Sequence, residues 1–180
     1  MNEPEAVVAR TRRWIERAVI GLDLCPFARR PYDAGTLEFV VSAARDADAL
    51  QRDLEAELRR LAASAPGEVE TTLLIHPHAL TDFLEYNDFL DVADALLDAL
   101  DLATDIQIAS FHPDYRFADT APDAIENYTN RSPYPMLHLL RSSSVERAVA
   151  AFGDTSKIYA TNIATLRRLG LAGWCALKID

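Results

Sequence analysis

Apolar positions along this chain switch between two spacings. A three-to-four-residue recurrence marks helices, and an alternation or short run marks strands. Residues 5–22 place Val8, Ile15, Val19 and Leu22 on one stripe, with Trp14 and Ala18 beside it and Gly21 near the end. Arg10, Arg13 and Arg17 share the opposite side, which reads as a solvated helix face. Residues 37–42 (LEFVVS) predict the first strand, and Leu50, Leu54, Leu58 and Leu61 predict a surface helix over 46–64. Residues 70–76 (ETTLLIH) predict a second strand. Asp82 with Glu85 predicts a capped helix to about residue 100, with Asp88, Asp91, Asp94 and Asp98 on its wet side. A third strand follows over 105–111, then a long polar and aromatic loop, then a fourth strand over 134–141. Ser143 with Glu146 opens a short helix ending at Gly153, and residues 155–169 form a last helix closed by Gly170. The tail 173–180 reads as a short strand or a packed extension.

This order predicts an α+β protein with an α/β two-layer arrangement in one domain spanning 1–180. Two β-α-β units imply parallel neighbours with right-handed crossovers. The direct return after the loop makes the fourth strand antiparallel to the third. The expectation is a four-stranded mixed sheet covered by helices, with ferredoxin-like packing favoured over three layers. Strand order is not readable.

Charge narrows the partners. The 28 acidic residues outnumber 18 basic ones, for a formal net charge of −10. That balance argues against nucleic acid and anionic membrane, since phosphate binding needs basic patches. No apolar run approaches the roughly 18 residues of a membrane-spanning helix, and the start lacks the apolar core of a signal peptide. The 2 cysteines, Cys25 and Cys175, show no CxxC spacing, which points to free thiols in a reducing cytoplasm. The chain carries no glycine-rich phosphate loop, no GxSxG elbow and no HExxH.

Chemistry-bearing residues concentrate after the second and third strands. Both strands end in His-Pro, at His76-Pro77 and His112-Pro113. A residue before proline is held extended, so each histidine continues its strand. In parallel strands both reach the carboxyl edge, where open sheets usually bind ligands. The loop 112–132 adds Asp114, Asn127, Asn130 and Arg131, with Tyr134 just beyond. Four aromatics in or beside it (Tyr115, Phe117, Tyr128, Tyr134) argue for an ordered loop. His76 and His112 could act as general acid and base, or as metal ligands with Asp114 or His78. Taken alone, each strand-end histidine more often caps carbonyls or packs on rings; it is the pair at one edge beside a polar loop that makes a site. Arg131 with Asn127, Asn130 and Tyr134 could hold a carboxylate or phosphate, or the asparagines could satisfy their own loop. His138 lies deeper along the fourth strand and is a weaker member of the group. Cys25 is a further nucleophile candidate, opposed by its place after a helix C-terminus and by apolar neighbours. The cofactor and the oligomeric state stay open.

LDLCPFA, LLIHP and above all ASFHPDYRFA with NYTNRSPYPMLHLLR resemble a family of uncharacterised bacterial proteins, a domain of unknown function. The resemblance covers nearly the whole chain and implies a soluble bacterial protein. It brings no established reaction, cofactor or catalytic residue. The resulting expectation is a small enzyme acting on a small polar or anionic molecule. Its alternative is a non-catalytic binding or assembly module using the aromatic loop 112–134. A concave pocket around His76 and His112 would favour the first, and an exposed Tyr/Phe patch the second.

Overall fold

The computed structural model describes residues 3–179. The elements run α1 (Glu3–Trp14), a π-helical continuation (Ile15–Ile20), α2 (Arg29–Asp33), β1 (Leu37–Val41), α3 (Ala47–Ala63), β2 (Thr71–Ile75), α4 (Phe83–Ala99), β3 (Ile106–Phe111), β4 (Met136–Arg141), α5 (Ser142–Phe152) and α6 (Ile158–Ala176). The four strands form one mixed sheet in the order β1-β2-β4-β3. β1 and β2 are parallel, and β4 runs antiparallel to both β2 and β3. β1, β2 and β3, linked in turn through α3 and α4, therefore share one direction, but β2 and β3 are not neighbours as the two β-α-β units implied, because β4 is inserted between them.

α3 and α4 pack on one face, giving the expected sheet-and-helix layering. Leu50, Leu54, Leu58 and Leu61 of α3 are buried against Leu74, Leu137 and Leu139, with Tyr86, Phe89 and Ala93 of α4 in the same cluster. Each such leucine contributes about 1.5–3 kcal/mol on burial. Asp46 caps α3 by accepting from the Ala49 N–H, and Asp82 caps α4 by accepting from Leu84 and Glu85 N–H. On the other face α1 sets Val7, Trp14, Ile15 and Ala18 against Leu73, Ile75 and Met136. Alternation along each strand decides the face. Leu74 and Leu137 point to α3 and α4, while Leu73 and Met136 point to α1.

Several local expectations change. Gly170 does not close the last helix: it kinks it at φ 64°, and the helix runs on to Ala176. The tail is thus helical up to that residue, while Asp180 lies outside the described residues. The Arg17 guanidinium donates to the Leu177 and Lys178 carbonyls, which the helix end leaves open. Helix α5 begins at Ser142, directly after β4, with no side-chain cap. Gly153 ends it at φ 90°, where a glycine was expected.

Candidate functional site

β2 and β3 run in the same direction on either side of β4. Ile75 and Phe111 both pair with Met136, so the next residues, His76 and His112, stand level at the carboxyl edge. The His76 N–H extends the ladder by donating to the Pro135 carbonyl at 3.0 Å, and the His112 N–H donates to Asn130 O at 3.2 Å. Both side chains fall on the α4 face, in phase with Leu74 and Ile108.

Tyr86 of α4 fills the space between them. Its ring stacks on His76 at 5.9 Å and 17°, and lies tilted against His112 at 5.0 Å and 44°. Its hydroxyl donates to Met136 O at 2.9 Å and accepts from the Phe111 N–H at 3.0 Å. Burial pushes the phenol's pKa up. Phe83, one turn earlier, adds a ring 5.5 Å from His112 and 5.4 Å from Tyr115.

The partners fix both imidazoles. His76 Nδ1 lies 2.9 Å from Ala79 O. A carbonyl only accepts, so Nδ1 carries the proton and Nε2 keeps a lone pair. That Nε2 is buried and has no hydrogen-bond partner. His112 Nδ1 accepts from the Asp114 N–H at 3.0 Å, so its Nε2–H donates to Leu80 O at 3.2 Å. Burial lowers both pKa values, that of His76 to about 4, with the nearby His112 adding to the effect. Each ring is therefore neutral at ordinary pH. Together they hold two consecutive carbonyls of the turn after β2. Leu80 in that turn sits at φ 52°, a conformation that costs a bulky side chain about 1–3 kcal/mol.

The loop residues are engaged with their own loop. Asn127 is fully buried: its Oδ1 accepts from the Phe117 N–H and the Thr120 hydroxyl, and its amide donates to Ala121 O. Asn130 donates to Ser110 O at 3.0 Å, tying the loop to β3. Arg131 donates to Tyr115 O and Pro122 O and lies 4.5 Å over the Tyr128 ring. A 3₁₀ turn (Ile125–Thr129) lies under α6, where Tyr128 meets Trp174 at 4.9 Å and Glu126 pairs with Arg167. The Asp114 side chain is exposed.

Other sequence candidates lie elsewhere. Tyr134 packs in the α1 cluster beneath the Arg10 guanidinium, 5.2 Å from its ring centre. His138 also faces α1. Thr71 donates to Leu139 O, so the His138 Nε2–H must donate to Thr71 Oγ1, at 2.6 Å. Cys25 is half-buried, with no hydrogen bond to either site imidazole. Burial raises its pKa, against two N–H groups, of Phe27 and Ala28, that donate to the sulfur. Among the described residues no group of three or more His, Cys, Asp or Glu side chains is placed to hold a metal ion.

Sequence reasoning missed Tyr86 and the 79–80 turn. Helical spacing marks Tyr86 only as one more apolar position, although a buried tyrosine hydroxyl needs a partner. That requirement is the signal that could have singled it out. No curated protein and no solved structure matches the chain. One family profile matches residues 6–176, nearly the full length, and the chain belongs to that family, the Protein of unknown function (DUF1415) family.

Proposed function

We propose that this protein is a small enzyme acting on a small polar or anionic molecule at the carboxyl edge of the parallel strands. His76 is its general base and His112 its positioning partner. The observation that carries this reading is the buried, unpartnered lone pair on His76 Nε2. Buried polar atoms are nearly always satisfied, and an orphan calls for an explanation. The other nitrogen is pinned by Ala79 O, so the ring cannot turn over to hide the lone pair without losing that bond. With a pKa near 4 the ring is wholly in its proton-accepting form at neutral pH.

In this reading a substrate proton passes to Nε2 while Nδ1–H stays on Ala79 O. The strained 79–80 turn opens to admit the substrate, since both imidazoles are fully buried when it is closed. Asp114 flanks the opening from the loop side. Arg131, Asn127 and Asn130 hold the loop in shape, and Tyr134 supports it from the far face. The motif resemblance supports a bacterial setting, and the free Cys25 and Cys175 support a reducing cytoplasm. No helix among the described residues is long and apolar enough to cross a membrane.

The competing reading is a non-catalytic binding module. The sealing of both rings and the internal bonding of Arg131 favour it. Against it, Tyr115, Phe117, Tyr128 and Tyr134 are all half-buried, so the loop presents no open aromatic patch.

Turnover screening separates the two. Panels of small phosphates, carboxylates, esters and amides are offered to wild type and to His76→Gln, with circular dichroism confirming fold. The expected result is wild-type turnover that falls about 100-fold or more in the variant, the usual contribution of a general base. Equal turnover in the two proteins removes His76 from the chemistry. Melting shifts without any turnover establish the binding module.

A further inference from the structure

A cavity of about 200 Å³ opens at the same carboxyl edge, just beyond β1 and β2. Glu3, Ser42, Arg45, Pro77 and His78 line it. Three facts about these side chains decide what it can hold. Ser42 is spent: its hydroxyl donates to Asp53 Oδ2 at 2.5 Å and accepts from the Ala44 N–H at 3.0 Å. Arg45 is exposed and has no ion pair or hydrogen bond among the described residues. His78 meets one acid, the Glu3 carboxylate, 3.0 Å from its Nε2.

The cavity thus joins an uncompensated guanidinium to an imidazole that already carries a carboxylate of the protein itself. Glu3 occupies the place an oxyanion would take. It does so from the first turn of α1, where it is largely exposed and easily displaced. In a chain of net charge −10, a free anion is repelled unless a local cation holds it. Arg131, the guanidinium that the sequence suggested for this task, is committed to two carbonyls and a ring. Arg45 is committed to nothing, and a planar guanidinium fork matches carboxylate and phosphate oxygens.

We infer that the cavity between Arg45 and His78 is the oxyanion subsite of this edge. It takes the carboxylate or phosphate group of a small molecule, with Glu3 as a tethered competitor that the ligand displaces. This rests on the reading of the edge as the functional site. It is tested by binding alone, so it can fail while His76 catalysis stands, and the reverse.

The experiment is calorimetric titration of the full chain with inorganic phosphate and with succinate, at constant ionic strength. Heteronuclear NMR of the His78 ring follows the same titrations. Wild type binds at least one of the two probes, and which one identifies the group. Arg45→Ala lowers that affinity about tenfold, the loss of a single charged hydrogen bond. Glu3→Gln raises it several-fold, because the tethered competitor is gone. Arg131→Ala leaves it unchanged in protein that circular dichroism shows to be folded. Arg45 and Glu3 are surface side chains, so their variants fold. Absence of binding by both probes overturns the inference. So does binding that survives Arg45→Ala, or binding that Glu3→Gln weakens.

Discussion

Replacing Tyr86 by phenylalanine isolates a single hydroxyl that ties α4 to the sheet. The ring contacts to His76, His112 and Phe83 are kept. What is lost is the bridge between Met136 O and the Phe111 N–H, at 2.9 and 3.0 Å. Those two residues are register partners at the last rung of the β3–β4 ladder. Tyr86 is 0% exposed, so water cannot take the hydroxyl's place without opening the core. Two buried backbone groups are then left unpaired, at about 1–3 kcal/mol each. The expected destabilisation is about 2–5 kcal/mol, which for a chain of this length lowers the melting temperature by roughly 5–15 °C. Urea unfolding followed by circular dichroism and by tryptophan fluorescence measures it directly. A loss below about 0.5 kcal/mol, the scatter of ordinary surface substitutions, would refute the claim that this hydroxyl closes the sheet edge.

Two further outcomes follow from titration and exposure. His76 has a folded-state pKa near 4, below the unfolded value, so the unfolded chain binds more protons between these two values. Stability is therefore full above pH ~6.5 and falls as pH drops toward 4, by about 2 kcal/mol per such ring between pH 7 and 5; urea melts of His76→Gln should show a shallower slope, and parallel curves would contradict the assignment. Iodoacetamide should label exposed Cys175 well before Cys25, whose thiol is held protonated by burial; peptide mass spectrometry showing Cys25 labelled first would reverse that order.

Much of the layering was legible because it depends on local spacing. The leucine row of α3 and the Asp82 cap of α4 act over a few residues, and both form as read. The parallel strands with matching His-Pro ends placed His76 and His112 at one edge, where they stand. Strand order was not legible, because β4 pairs with partners far away in sequence and its apolar run fits several neighbours. The sequence ends helix α6 too early, because Gly170 is a stop signal only when the helix has nothing further to dock. Here Trp174 packs against Tyr128 beyond the kink. The site's polar atoms were harder still. Residue type says that Arg131 and Asn127 can bind an anion or a carbonyl, but only three-dimensional proximity shows that carbonyls came first. Arg45 drew no notice because an isolated arginine before a helix has no distinguishing spacing.

The position of β4 has a consequence for how the chain reaches this fold. The last strand in sequence is an inner strand in space, and it supplies the hydrogen bonds on one side of both β2 and β3. Thr71 waits for Leu140, and Ile106 for Arg141. A ribosome that has released β1, β2 and β3 has therefore released a parallel pair and a separate strand with a gap between them. Such a gap leaves two rows of backbone groups open to other chains. Closing it requires contacts of large sequence separation, which fold slowly. The long aromatic segment before β4 then has an assembly task as well as any chemical one. Asn127 and Arg131 fold it on itself, which shortens the effective distance that β4 must search. The same side chains that hold the loop over the edge thereby help set how long the unfinished sheet stays exposed.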